Sequence, residues 1–213
     1  MIPNSFLSKI ASIVLSQYQK NNTNTIVVLP NKRAKVFLLN EIQTQSQQTI
    51  FAPEIISIED FVQDISGIRS IDSIELLFQF YAVYCSVTEP PKQETFENFA
   101  NWAKTLLQDF NEIDRYLLEP NKILKYLENI KEVEHWSVSA YKKTDLIDKY
   151  LAFWKLLPTY YHALYAHLKN VKIGYQGLIY REAVSNLQSF SFENKKANYI
   201  FAGFNALNHA EEK

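Results

Sequence analysis

One cysteine and four glycines in 213 residues exclude more than any single motif establishes. A lone Cys85 forms no intrachain disulfide and supplies no cysteine-based zinc site. Its setting, FQFYAVYCSV, is apolar, so it reads as a buried, inert thiol. Scarce glycine disfavours any Gly-rich cofactor loop. A nucleotide P-loop needs such a loop, so that backbone N–H groups wrap the phosphates, followed by Lys and Ser/Thr. No G-x-x-x-x-G-K-[ST] occurs. A global charge bias is missing too: the net charge is −1 and the sequence pI about 6.4. Any nucleic-acid contact must then come from a local patch. Residues 5–16, SFLSKIASIVLS, are too short and too polar to span a membrane, and no basic segment or cleavage site frames them as a leader. A soluble, cytoplasmic protein without a membrane partner is expected.

What is present is apolar mass. Hydrophobic residues make up 47% of the chain, with 14 Phe, 13 Tyr and 3 Trp, enough for an aromatic core at helical spacing. Residues 5–20 carry Phe6, Leu7, Ile10, Ile13, Val14 and Tyr18, close to an i, i+3, i+4, i+7 stripe. TIVVL, ending at Pro30, has the continuous apolar pattern of a strand buried on both faces. A helix over 32–45 follows, with Val36, Phe37, Leu39 and Ile42 inward. Residues 49–58 read as short extended segments broken at Pro53, and Ser57 caps the next helix with Asp60 at the capping-box distance. Strand–helix–strand–helix order implies an α/β fold with a parallel sheet and crossover helices.

From about 70 to 190 helical patterns dominate, over 70–86, 94–117, 120–129, 144–169 and 177–188, with a kink expected at Pro158. ANYIFAGF, 197–204, returns to a buried-strand pattern, and NHAEEK looks like a helix start capped by Asn208 with Glu211 three residues on. Three segments result: α/β at 1–67, a large helical insertion at 68–196, and a return strand with its helix start at 197–213. So thin a sheet implies a fragment of a longer protein.

The stretch TIVVLPNKRAKVFLLNEI carries Asn31, Lys32, Arg33 and Lys35 where a helix follows a buried strand. Cations oppose the helix dipole there, at a cost of a few tenths of a kcal/mol each. They are either a solvated face or a phosphate contact, since a helix N-terminus itself favours anions. Other constellations read as structure. Asp109, Glu112 and Asp114 in DFNEID share a helix and look solvated or paired, to Arg115 for instance. His162 and His167 are five apart and diverge, a poor metal pair, and His135-Trp136 reads as a packed corner. Trp154, Tyr160, Tyr161 and Tyr165 are candidates for base stacking, but their helical spacing beside Leu151 and Leu164 fits a core. Arg181, near Tyr175 and Gln176, is open between a phosphate and an acidic neighbour. Pro53-Glu54 with Glu211-x-Lys213 matches a nuclease pattern only formally, across roughly 157 residues of chain. No catalytic residue, metal ligand or cofactor is assigned.

LPNKRAKVF resembles the T-N-K-x-A motif of UvrD-type superfamily 1 helicases, which contacts single-stranded DNA phosphates: Asn31, Lys32 and Ala34 match, with Pro30 in place of Thr. SIEDFV resembles the following T-F-H-x-[LF]-A motif through Ser57, Ile58, Phe61 and Val62, with Glu59 in place of His. YIFAGFNALNHAEEK is similar to a segment of the B subunit of AddAB-type helicase–nucleases: Gly203, Phe204 and Glu211 or Glu212 match, and Ala202 stands where an acidic residue would hold magnesium. With FAPEIISIEDFV, DFNEIDRYL, EHWS and YQGLIYREA, these motifs resemble the Bacteroidetes AddB-like proteins, which are inactivated superfamily 1 helicases with a C-terminal PD-(D/E)XK nuclease domain. The resemblance implies a partial RecA-like parallel sheet without its P-loop, carrying a helical insertion. It implies a non-enzymatic N-terminal region in DNA repair and recombination that binds single-stranded DNA through Asn31, Lys32, Arg33, Lys35 and Ser57, beside a possible helicase subunit. The alternative it leaves is a protein-interaction scaffold that docks a helicase partner and keeps a vestigial DNA surface.

Overall fold

The computed structural model describes residues 5–19, 24–46, 49–138, 145–195 and 197–213, the side chains of 18–19, 131–138 and 145–151 aside. These residues form a mixed α/β chain in two compact units: 1–66 with 183–207, and 67–182 with 208–213. The division falls inside a helix, Gln176–Glu193, rather than just before the last strand.

The first unit is a small three-layer α/β arrangement. Its elements are α1 (Phe6–Gln19), β1 (Thr25–Leu29), α2 (Lys32–Gln45), β2 (Glu54–Ser57), α3 (Ile58–Ser66) and, later in the chain, the helix Gln176–Glu193 from Ala183 onward and β5 (Asn198–Phe201). The strands pair in parallel in the order β2-β1-β5. β1 is central, with Val27, Val28 and Leu29 all fully buried, as its unbroken apolar run requires. Alternation along the strands sorts the two faces. Val27, Leu29, Ile55 and Ala202 pack on Ile10, Ala11 and Val14 of α1 and on Leu38 and Ile42 of α2. On the opposite face, Phe61 of α3 meets Phe190, Tyr199 and Phe201 at centroid distances of 5.7, 5.4 and 5.4 Å. α1 and α2 are also stitched together by Gln45, which accepts from Ser12 Oγ and donates to Ser8 Oγ, both at 2.8 Å.

Two expectations for this unit fail. Val36 and Phe37 are not inward: they are 61% and 62% exposed, and Leu38 and Ile42 hold the core side of α2. Among the described residues β5 is not a buried strand but an edge, paired to β1 alone, with Asn198 and Phe201 exposed. An edge strand keeps its apolar sequence without the second neighbour that would bury it.

The second unit contains α4 (Ser73–Val87), α5 (Phe96–Arg115), α6 (Pro120–Val138), α7 (Asp145–Val171) and the first residues of α8 (Gln176–Glu193). It is not all helix: β3 (Arg69–Ser70) and β4 (Ile173–Gly174) form a short parallel ladder. Phe80 of α4 anchors the core, 5.1 Å from Phe99 and 6.2 Å from both Phe110 and Tyr160. α4 starts at Ser73 because Asp72 caps it, accepting from the N–H groups of Ile74 and Glu75. α6 runs on to Val138, beyond the expected 129, and α7 continues as one helix through Pro158. Cys85 is half-buried rather than buried. Asn208 accepts from Ala210 and Glu211 N–H at 3.0 Å, and its own N–H donates to Glu211 at 2.9 Å, so the capping box is made. It closes turns over 209–212, not the helix expected there.

Candidate nucleic-acid interface

β1 and β2 run side by side with Leu29 opposite Ser57. Both strands therefore end at one edge of the sheet, and each feeds a helix there. Past Leu29, Pro30 cannot donate to the ladder and the chain turns. Asn31, with extended φ −154° and ψ 159°, caps α2, its side chain accepting from Ala34 N–H at 3.1 Å. Past β2, Ser57 caps α3: Asp60 N–H donates to Ser57 Oγ at 3.2 Å, and Ser57 Oγ donates to Asp60 Oδ2 at 2.8 Å.

The other Asp60 oxygen receives Lys32. Lys32 Nζ lies 2.8 Å from Asp60 Oδ1, so one carboxylate joins the starts of α2 and α3. The hydrogen bond from Lys32 is the first cause holding the Asp60 carboxyl below the usual carboxylate range, with help from Ser57 against a modest desolvation. The same bond raises Lys32 above its ordinary value. Both charged forms are thus favoured at neutral pH, and the pair is accessible to solvent.

The fold brings Asn31, Lys32 and Ser57 to one edge. Their free chemistry is narrower than the residue types imply. Ser57 is 2% exposed and its hydroxyl is committed to the cap. Asn31 commits its side-chain oxygen likewise, and its amide N–H groups are not part of the cap. Arg33 and Lys35 are exposed and have no hydrogen-bond or ion-pair partner among the described residues. Asp60 is the residue that sequence reasoning missed in this role: its three-residue spacing from Ser57 signals a cap, but nothing in the sequence pairs it with Lys32.

At the third strand end, Ala202 is buried and its N–H donates to Val28 O at 3.1 Å. Gly203 follows with φ +86°, a conformation L side chains rarely adopt, beside Pro30 and Phe6.

A polar cluster in the second unit absorbs the other candidates. Asp114 is fully buried on α5. It accepts from the hydroxyls of Tyr161 and Tyr175, the latter at 2.5 Å, and from Arg181 Nε at 2.7 Å. Arg181 also donates to the carbonyls of Ile113 and Leu118. Arg181 is therefore tied to an acid rather than turned to a phosphate. Arg115, the partner expected for the DFNEID acids, pairs with Glu112 at 3.8 Å, while Asp114 takes Arg181. Burial pushes the Asp114 carboxyl up while its donors oppose that shift, and burial first, then the nearby carboxylate, drives Tyr161 and Tyr175 well above the ordinary phenol value. Tyr165 donates to Glu182, which also holds Lys169 at 2.9 Å. Each tyrosine thus serves a buried acid, and Tyr160 packs in the core. His162 and His167 bond separately to Asn121 and Gln79, at 2.7 and 2.8 Å. The side chains of His135 and Trp136 lie outside the described residues. Among the described residues no group of three His, Cys, Asp or Glu is placed to hold a metal, and no helix is long and apolar enough to cross a membrane.

What fold and site define together is a mixed α/β protein with a small parallel sheet, whose adjacent strand ends present a capped, cation-bearing edge. No family model matches the chain, and no curated protein is significantly similar to it.

Proposed function

We propose that the α/β unit is the RecA-like N-terminal region of an inactivated, AddB-like helicase, and that it binds or guides single-stranded DNA without ATP chemistry. The observation that carries this reading is the Leu29–Ser57 register. It aligns the two strand-to-helix turns whose residues resemble helicase phosphate-binding motifs, so that one strand of DNA could touch both. Arg33 and Lys35 are ready cations, and Lys32 exchanges Asp60 for a phosphate. The sequence supplies no Gly-rich cradle, and Ala202 offers no magnesium ligand, so no ATP turnover is assigned. In the full-length protein this region would work in the cytoplasm in DNA repair, upstream of a nuclease domain and beside a helicase subunit.

The scaffold reading has its own support. Asp60 neutralises Lys32, and Val36 and Phe37 are exposed apolar side chains of the kind found in protein interfaces.

The deciding measurement is fluorescence anisotropy of a labelled oligonucleotide at low salt. Wild type should bind weakly and lose binding at modest salt. Lys32→Ala with Arg33→Ala should weaken binding uniformly across sequences, because backbone contacts carry no base information. Each lost phosphate contact should flatten the salt slope by about 0.7. No binding by wild type, or equal binding by the double variant, replaces the DNA reading with the scaffold. A reproducible rise in Tm with Mg-ATP would count against an ATP-free role.

A further inference from the structure

The outer face of α2 carries Arg33, Val36, Phe37 and Asn40, an i, i+3, i+4, i+7 stripe, and all four residues are exposed. Such a stripe normally faces a core; here Leu38 and Ile42 do that from the opposite side. Phe37 is 62% exposed, one turn after an arginine that has no hydrogen-bond or ion-pair partner among the described residues. Resting on the DNA reading above, we infer that this stripe is a base-stacking platform for single-stranded nucleic acid, with Arg33 on a phosphate, Phe37 under a base and Val36 extending the apolar floor.

Charge complementarity selects the occupant. The stripe has a cation, an aromatic ring, an aliphatic side chain and an amide, all exposed; Glu41, one turn after Phe37, borders it and is half-buried, so Arg33 is the exposed charge that meets a phosphate backbone. Side chains four apart on a helix sit about 5–6 Å from each other, comparable with the separation of phosphate and base within one nucleotide. Every base has a π-face, so a lone ring gives contact without sequence preference. A duplex keeps its bases stacked on one another, so the platform discriminates against it. Asn40, whose side chain has no hydrogen bond among the described residues, lies one turn beyond Val36 and supplies a polar contact to sugar or base edge.

The test uses the 213-residue chain with Phe37→Ala, Phe37→Trp and Arg33→Ala, each checked by circular dichroism for wild-type helix content. An intact oligonucleotide and an abasic one of equal length are compared by anisotropy. Phe37→Ala should weaken binding to the intact oligonucleotide by about 5- to 150-fold, the range of one lost base–aromatic stack. It should leave binding to the abasic strand and the salt slope unchanged. Phe37→Trp should retain affinity, and its fluorescence should be quenched by the intact strand only. Arg33→Ala should weaken both strands and flatten the salt slope by about 0.7. If Phe37→Ala matches wild type while the Lys32/Arg33 variant loses binding, the platform is wrong and the phosphate reading stands. If wild type binds neither strand, both fall, and the stripe belongs to a protein partner.

Discussion

Lys32 Nζ and Asp60 Oδ1 stand 2.8 Å apart across the starts of two helices, so the cation best placed for a phosphate already has an anion. An incoming phosphate must displace that carboxylate or share the lysine with it. Asp60→Asn removes the competing charge and keeps the shape of the cap. It should tighten oligonucleotide binding several-fold at low salt, with the gain shrinking as salt screens the exposed pair. Weaker or unchanged binding would mean that Lys32 does not meet DNA. Because the folded carboxyl sits below its ordinary pKa, the pair's contribution is present above the ordinary carboxylate range and is lost as pH falls through the lowered value. Acid unfolding of Asp60→Asn should therefore be shallower than that of wild type.

Asp114 should be the most sensitive charged residue of the helical unit. Asp114→Ala leaves Arg181 without its buried partner and two phenols without an acceptor. Removing one member of a buried ion pair costs about 3–5 kcal/mol. Chemical denaturation should show a loss of that order, whereas Glu112→Ala, on an exposed pair, should cost under about 1 kcal/mol.

Alkaline pH probes the same cluster. Tyr161 and Tyr175 hold their protons above the ordinary phenol value. Groups raised in the folded state contribute fully below the unfolded pKa and lose that contribution as pH rises through the folded one. Stability should fall above about pH 10. Phenolate absorbance should grow in two phases, the later one coincident with loss of the helical signal. A single early phase with the fold intact would contradict the buried placement.

Gly177 should not tolerate a side chain. A Cβ there would lie 2.2 Å from the Asn111 carbonyl oxygen and 3.0 Å from Arg115 N, both backbone atoms that cannot swing aside. Gly177→Ala should destabilise by about 1–3 kcal/mol through overpacking. It should also disturb the hydrogen bond from Gly177 N–H to Asn111 Oδ1, now 2.8 Å. A thermal melt like that of wild type would refute the close approach.

Leu38 and Val36 make a matched pair on α2, one fully buried and one 61% exposed. Leu38→Ala should cost about 2–5 kcal/mol. Val36→Ser should stay within about 0.5 kcal/mol, as surface changes do. Comparable losses at both positions would restore the inward reading of Val36.

Local chemistry was legible without a structure. Apolar continuity marked Thr25–Leu29 as a buried strand, and the strand–helix alternation implied parallel pairing, because crossover helices bring successive strands back in the same direction. Ser57 and Asp60, and Asn208 and Glu211, announced their caps because a cap is a contact between residues three apart. What neighbours decide was not legible. β1 and β5 carry similar apolar runs, yet one is central and the other an edge, since burial depends on how many strands lie alongside. On α2 the apolar residues Val36, Phe37, Leu38, Leu39 and Ile42 surround much of the helix, so periodicity offers two inward faces. Packing against α1 and the sheet chose the one holding Leu38 and Ile42. Asp60 with Lys32, and Asp114 with Arg181, are separated by 28 and 67 residues of sequence. No periodicity spans such gaps; the register of β1 on β2 and the packing of the helical unit close them. The sequence by itself determined which side chains carry charge, cap helices and are apolar, because those are properties of residues and their near neighbours. Only the tertiary structure decided which charges are already paired and which ring stands open to solvent, because pairing and exposure are properties of distance in space.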